Sequence, residues 1–214
     1  MSRGRTPQSL TRKTNTKTTR NRLLIVCEGE VTEVEYFEGI TRLYRAPTVK
    51  VECVGKGRDP LKTVNHALRL RENSEKAARS KRDSFLKIDH VWCVVDVDDH
   101  TTLDGALRLA KRNDVHLIVS NPCFEIWLLW HYQDFASQTN RFDLPKKLDG
   151  HIPGYSKKKA IPTGFPFGEA EHSAAKKRAL CCDPQHDAPC RQGRNPSSNV
   201  WLAVEAVRGE GRKP

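Results

Sequence analysis

Four short runs of apolar residues divide the first part of the chain, and longer segments with helical periodicity separate them. The runs are Leu23–Cys27, Thr48–Val54, Val91–Val95 and Val115–Ser120. The second run alternates apolar and polar residues, as a strand with one exposed face does, whereas the first is continuously apolar, as a buried strand is. These lengths are typical of β-strands.

The three segments between these runs carry helix signals. Thr32–Tyr44 begins with a suitable N-cap residue, and Asp59–Arg79 begins with an aspartate followed by proline, a common start of a helix. Thr102–Asn113 places leucine and alanine at helical spacing, and the apolar sequence FEIWLLWHYQDF predicts a fourth helix after Pro122. Alternating strands and helices predict an α/β fold with a mostly parallel four-stranded sheet flanked by helices.

The regular pattern weakens in the second part of the chain. Proline, glycine, lysine and aspartate dominate residues 139–198, where only Glu169–Leu180 has a helical pattern, and NPSSNVWLAVEAV predicts a turn and a last helix over Val200–Val207. The chain is therefore predicted to have three parts: a tail over 1–22, an α/β core over 23–138, and a loop-rich helical extension over 139–214 that packs on the core.

Positive charge is concentrated in the tail. The chain has a net charge of +11, and residues 1–22 contain seven lysines and arginines and no acid. Such a segment is predicted to be disordered, and its natural partner is a polyanion such as nucleic acid, through Coulomb attraction and counterion release. Arg20 and Arg22 are the candidate contacts nearest the core. The alternative is a tail that only improves solubility.

The sequence favours neither a membrane protein nor a secreted one. There is no run of about 18 apolar residues, and the start lacks the apolar segment of a secretory signal. The seven cysteines are an odd number, and in a reducing cytoplasm no disulfides are expected. We therefore expect a cytoplasmic protein.

Carboxylates stand at the ends of two of the predicted strands. Leu23–Cys27 is followed by Glu28, and Val91–Val95 is followed by Asp96 and Asp98. The carboxyl ends of parallel strands meet at one edge of a sheet, and ligands bind in the crevice outside those ends. If the two strands are neighbours, the three carboxylates converge in one crevice.

Converging carboxylates create a charge problem that a cation would solve. Asp96 and Asp98 point to the same side of an extended backbone, and without a counter-charge the pKa of one partner would rise, which costs stability near neutral pH. Oxygen ligands suit Mg²⁺ and then Mn²⁺, and a phosphate is a common further ligand. The alternative is that strand ends carry acids only because loops are polar.

Other acidic motifs fit the sequence less well. In haloacid-dehalogenase phosphatases the second aspartate precedes a threonine or valine by two positions, where this chain has His100, and the motif follows the first strand rather than the third. A receiver domain fits in outline, but the lysine-bearing fifth strand is missing after Ser120. A receiver-like signalling domain therefore stays a less favoured alternative.

Three stretches, in order, resemble the RloB-like family. They are IVCEGEVTEVEYF, VVDVDDH and SNPCFEIWLLWHY, and NPSSNVWLAV resembles the family's closing motif. The resemblance extends from about Arg22 to Val207 and implies a Toprim-like fold. It also implies a role near restriction loci in anti-phage defence, such as abortive infection, with an ATPase partner.

The resemblance further implies roles for the acidic residues. By similarity to Toprim-type nucleases, Glu28 would be the general acid or base, and Asp96 and Asp98 would bind Mg²⁺. Glu33, shortly after the first glutamate, and Asp99 are further candidate metal ligands.

Basic and polar residues complete the predicted site. Lys157, Lys158 and Lys159 of the sequence YSKKK are expected to hold a phosphate backbone. Asn121 and Glu125 follow the fourth run and would reach the crevice, or instead form the strand-to-helix turn and favour the helix N-terminus. The combination predicts a Mg²⁺- or Mn²⁺-dependent nuclease, a hydrolase of DNA or RNA. A non-catalytic nucleic-acid-binding subunit is the main alternative.

A second cluster of reactive residues is interpreted as structural. The sequence CCDPQHDAPC has three cysteines and one histidine within ten residues, but it lacks the C-x₂-C spacing of zinc sites. We expect an irregular loop there. For His131 and His151 a core or solvent position is favoured over a catalytic one.

Overall fold

The computed structural model describes residues 21–53, 59–97 and 101–211. Arg20, Asp98 and Asp99 lie outside the described residues, as does the rest of the basic tail up to that arginine. Their proposed roles therefore stay predictions.

Five strands and eight helices follow one another in the described residues. The strands are β1 Leu23–Cys27, β2 Val49–Cys53, β3 His90–Asp96, β4 Val115–Asn121 and β5 Ser197–Ser198. The helices are α1 Thr32–Leu43, α2 Pro60–Lys81, α3 Leu103–Arg112, α4 Glu125–Trp130, α5 Asp143–Leu148, α6 Tyr155–Lys158, α7 Glu169–Cys182 and α8 Val200–Glu210. A 3-10 turn covers Ser84–Leu86.

The strands form one sheet in the order β2-β1-β3-β4-β5. The first four are parallel, as predicted, with ends within one residue of the apolar runs, while β5 runs antiparallel to β4. The prediction of four strands missed β5, because its two serines have no periodicity and follow a turn sequence. Its place at the sheet edge is fixed by the hydrogen bond between the hydroxyls of Ser120 and Ser198, 3.0 Å apart.

The strands β1 and β3 are neighbours, which decides where the acidic residues lie. Cys27 stands opposite Val94 in the parallel register. The ladder continues one residue further, because the backbone N–H of Glu28 donates to the carbonyl of Val94 at 3.0 Å. The chain therefore holds Glu28 as an extension of β1, beside the end of β3.

Different helices cover the two faces of the sheet. One face packs on α2 and α3 through small aliphatic side chains such as Val64 and Ala106. The other packs on an aromatic-rich cluster that includes Trp127 of α4, Tyr155 of α6 and Trp201 of α8. Residues of the C-terminal extension therefore share one hydrophobic core with the α/β core.

Two local predictions differ from the structure. The helix after Pro122 covers only Glu125–Trp130, although all six of its residues are buried. At its end, the guanidinium of Arg178 donates to the carbonyl of Trp130. The N-cap predicted at Thr32 is also wrong, since that threonine is the first helical residue of α1. No helix in the described parts of the chain is both long and apolar enough to span a membrane.

Candidate functional site

A crevice of about 350 Å³ opens at the carboxyl ends of β1 and β3. The segment after β1, the end of β3, the start of α4 and the C-terminal extension all contribute to it. Its lining residues are Gly29, Glu30, Val31, Thr32, Glu33, Asp96, Cys123, Phe124, Glu125, Arg141, Lys157, Lys158 and Lys159. Residues predicted from strand ends and residues predicted from the lysine sequence thus meet in one place.

Glu28 and Asp96 are adjacent at the end of the crevice formed by the strands. The Glu28 Oε2 atom lies 3.4 Å from the backbone nitrogen of Asp96. Glu28 is buried and Asp96 is half-buried. The structure therefore places the Glu28 carboxylate against the backbone of Asp96, the two residues on which the predicted site depends.

Glu33 lies against the glycine that follows Glu28. A Cβ atom added at Gly29 would overlap the carboxylate of Glu33, so only glycine leaves room for this side chain. Glu33 is buried in the first turn of α1, where the positive end of the helix dipole favours a negative charge. The spacing from Glu28 to Glu33 thus places a second glutamate in the same crevice.

The opposite wall is built around Glu125, in the first turn of α4. Its Oε1 atom accepts a hydrogen bond from the Tyr155 hydroxyl at 3.3 Å and lies 3.9 Å from the Lys159 ammonium. The Thr32 hydroxyl donates to the Lys159 carbonyl at 2.6 Å. These contacts tie α6 to both α1 and α4 and bring its lysines to the crevice.

Charge and burial act together on two weakly acidic groups of this wall. Burial raises the pKa of the Cys123 thiol, and the charges of Glu125 and Asp96 raise it further. Burial also raises the pKa of the Tyr155 hydroxyl, with Glu125 and Glu33 acting in the same direction. Both groups therefore stay protonated at neutral pH, so Cys123 is not a thiolate nucleophile and Tyr155 remains a hydrogen-bond donor.

Two predicted site residues lie elsewhere. The Asn121 amide donates to the Gly193 carbonyl at 2.8 Å, which fixes the loop before β5. Arg22 precedes β1 at the opposite edge of the sheet, where its guanidinium donates to the carbonyl of Phe85 at 2.6 Å. The five residues of β1 separate it from the crevice by on the order of 15 Å.

Arg141 lines the crevice, and no sequence motif marked it as a site residue. The one local signal is the helix start in NRFD, where the side-chain oxygen Oδ1 of Asn140 accepts from the backbone N–H groups of Phe142 and Asp143 at 2.9 and 3.1 Å. That capping motif positions the segment before α5. The packing of α5 beside the crevice is tertiary and has no counterpart in the sequence pattern.

With this geometry in place, the comparison with known families is informative. A family model described as RloB-like protein matches residues 23–207. The chain belongs to the RloB-like family. No curated protein and no solved structure matches it.

The acidic residues of this RloB-like protein fit a hard metal ion in part. Glu28, Glu33 and Asp96 offer only oxygen donors, as Mg²⁺ and Mn²⁺ prefer. Within residues 21–53, 59–97 and 101–211, however, no three side chains of His, Cys, Asp or Glu group closely enough to hold a metal ion. A complete site would need further oxygens; Asp98 and Asp99, which the sequence offers as ligands, lie outside the described residues.

The cysteine-rich segment forms the expected irregular loop only in part, because Cys181 and Cys182 end helix α7. Residues 183–196, after α7, contain no helix or strand. The Cys190 thiol donates to the Val115 carbonyl at 3.2 Å, and His186 Nε2 lies 2.9 Å from the carbonyl oxygen of Arg191. These side chains therefore fasten the loop to β4 and to itself.

Proposed function

We propose that this RloB-like protein is a Mg²⁺- or Mn²⁺-dependent phosphodiesterase that cleaves nucleic acid. The observation that carries the proposal is one crevice that is lined by Asp96, with Glu28 against its backbone, and by the lysine rim, Lys157 to Lys159. Carboxylates and cations at one site suit a phosphodiester, because the first bind metal or move protons and the second bind phosphate oxygens.

The carboxylates have separate proposed roles. Asp96 would hold the metal together with Asp98, and Glu33 and Asp99 are the candidates for a second metal. When bound, the metal would lower the pKa of a water ligand and stabilise charge on phosphate oxygens. Glu28, buried beside Asp96, would serve as the general base or acid. Its carboxylate would stand near the bound phosphodiester and could accept a proton from the attacking water.

The lysine rim would hold the polyanion. Lys157, Lys158 and Lys159 are exposed at the mouth of the crevice, and each phosphate that a lysine neutralises releases counterions. The Lys159 ammonium also lies 3.9 Å from Glu125, which orients this side chain along the wall. Arg20 in the tail would extend the basic surface beyond the crevice.

The wider biological setting is proposed from the family. The resemblance to Toprim-type enzymes supports a Toprim-like catalytic arrangement, cytoplasmic anti-phage defence and an ATPase partner subunit. The second candidate function is a nucleic-acid-binding subunit that cuts nothing. It is favoured by the lack of a three-residue metal group among the described residues.

The test is a cleavage assay with matched variants. The purified protein is incubated with DNA, total RNA or tRNA in Mg²⁺, Mn²⁺ or EDTA. We expect metal-dependent cleavage that falls at least about 100-fold in Glu28→Gln, with binding retained. Glu38→Gln is the control, because Glu38 is an exposed residue of α1 paired with Arg42. Cleavage by Glu28→Gln at the wild-type rate would refute the catalytic role, and binding of every substrate without cleavage would favour the binding subunit.

A further inference from the structure

Large apolar side chains that remain exposed are few in the described residues. They are Val31, Phe85 and Phe142, with exposed fractions of 42%, 68% and 73%. Val31 lines the crevice, and Phe142 directly follows Arg141, which also lines it. Phe85 lies at the other edge of the sheet, beside Arg22. Two of the three therefore belong to segments that border the candidate site.

The backbone at Phe142 is held in place, although its ring faces solvent. The side-chain oxygen Oδ1 of Asn140 accepts from the Phe142 N–H at 2.9 Å, and the helix that follows is anchored by the buried residues Leu144 and Leu148. An anchored backbone with an exposed aromatic ring loses little conformational entropy when a flat ligand stacks on it. This is a suitable arrangement for a recognition surface.

The surroundings of Phe142 are cationic. Arg141 precedes it, and the lysine rim stands on the neighbouring helix α6, which packs against α5. An aromatic ring beside a cationic track is the combination that binds single-stranded nucleic acid, since bases stack on the ring and phosphates pair with the cations. The charges thus favour a nucleic-acid base over an apolar peptide as the ligand.

The depth of the acidic residues points to the same substrate class. Glu28, Glu33 and Glu125 are only 6%, 7% and 7% exposed, so the scissile phosphate must enter a recess beneath the lysine rim. A stiff duplex presents its phosphates on a regular cylinder. A single strand, or a loop with splayed bases, can lower one phosphate into a recess and leave the adjacent base at the rim.

We infer that Phe142, next to Arg141, is a stacking platform for an unpaired base, and that the substrate class is single-stranded or looped nucleic acid. Val31 contributes an apolar surface inside the crevice. This inference rests on the proposed function for its substrate. Its test nevertheless measures base stacking separately from cleavage.

Binding is measured in the Glu28→Gln background with a fluorescein-labelled 12-nucleotide single strand and with the same sequence as a blunt duplex. We expect Phe142→Ala to weaken binding of the single strand about tenfold, to leave the duplex unchanged and to keep the melting temperature, since the ring is exposed. Phe142→Trp should restore binding. Phe85→Ala is the matched control and should bind as the parent does.

A strand with 2-aminopurine reports stacking directly, because its fluorescence is quenched when the base stacks. Quenching that is lost in Phe142→Ala and kept in Phe85→Ala supports the platform. If both variants behave alike, or if the duplex binds as tightly as the single strand, the inference is overturned. Phe142-dependent stacking without cleavage by the wild type would contradict only the nuclease proposal. Cleavage that ignores Phe142 would contradict only the platform.

Discussion

The crevice glutamates and the core histidines are buried to a similar extent, but their surroundings differ. Glu28 and Glu125 are 6% and 7% exposed, and His131 and His172 are 5% and 1% exposed. Glu125 lines a crevice that lysines share, and Glu28 lies against Asp96, which also lines it, whereas the histidines lie among the rings of Trp127 and its neighbours. Burial of an ionisable group therefore does not identify a functional site; the charge and the space that it faces do.

The histidines are neutral core residues. His131 Nδ1 lies 3.0 Å from the Pro166 carbonyl and its Nε2 lies 3.2 Å from the Tyr36 hydroxyl, so Nδ1 carries the proton and Nε2 accepts from Tyr36. Burial lowers the pKa of His131 to about 3 and that of His172 to about 4. Neither ring nitrogen of His172 has a hydrogen-bond partner in the described residues.

The largest effect expected from this comparison is a loss of stability in acid. Because the pKa of His172 is about 4 when folded and 6.5 ordinarily, the unfolded chain binds a proton below pH 6.5 that the folded protein does not. The contribution of neutral His172 to the free energy of unfolding is therefore complete above pH 6.5. It is lost as the pH falls toward 4, by about 1.4 kcal/mol per pH unit. His172→Leu should remove this contribution, so that between pH 7.5 and pH 5 the variant gains about 2 kcal/mol relative to wild type.

Urea denaturation at the two pH values measures this difference. The charged groups around His172 are Arg208, Glu205, Lys176 and Glu169, and all four remain in the variant. His151→Leu is the control, because His151 is exposed. If the free energy of unfolding depends on pH equally in wild type and His172→Leu, the histidine protonates without unfolding. His172 would then not be the neutral core residue that the comparison with the crevice requires.

A substitution at Gly29 tests whether the position of the Glu33 carboxylate in the crevice matters for cleavage. A methyl group there overlaps the Glu33 carboxylate, which is the end of a flexible side chain and can move aside at little cost in stability. We expect Gly29→Ala to keep its melting temperature. We expect its cleavage rate to fall about tenfold, which corresponds to an increase of about 1.4 kcal/mol in the activation free energy. Gly209→Ala, where an added Cβ meets nothing within 4 Å, should cleave normally. Full activity in Gly29→Ala would remove Glu33 from the site.

The strand order along the chain and the carboxylates at strand ends were predictable from the sequence. A continuous apolar run ending at Glu28 and another ending at Asp96 give both the strands and the edge at which they meet, because parallel strands share one carboxyl edge. The sequence left open whether Glu125 reaches the crevice or only favours the start of α4, and the structure places it in the crevice lining. The structure adds the contacts with Tyr155 and Lys159 that orient it.

Other parts of the site could not be predicted, because they depend on tertiary contacts. The hydrogen bond from Thr32 to the Lys159 carbonyl joins residues 127 positions apart, and no local pattern specifies it. The same is true of Arg141. The turn that contains it can be recognised in the sequence NRFD, but the packing of α5 against α6 cannot. The sequence suggested an N-cap role for Thr32, whereas the fold uses its hydroxyl to hold the lysine segment.

The smallest effect concerns the lysine rim, which lines the crevice. Lys157 is exposed on α6 at the crevice, so Lys157→Gln should weaken binding of a single strand only severalfold. It should also reduce the slope of log Kd against log salt concentration by a little under one, because one phosphate contact is lost. Lys87→Gln, at the other edge of the sheet, is the matched control and should leave the slope unchanged. If both variants lower the slope equally, nucleic acid is held by net charge over the whole surface, and the cations at the crevice have no special part in binding.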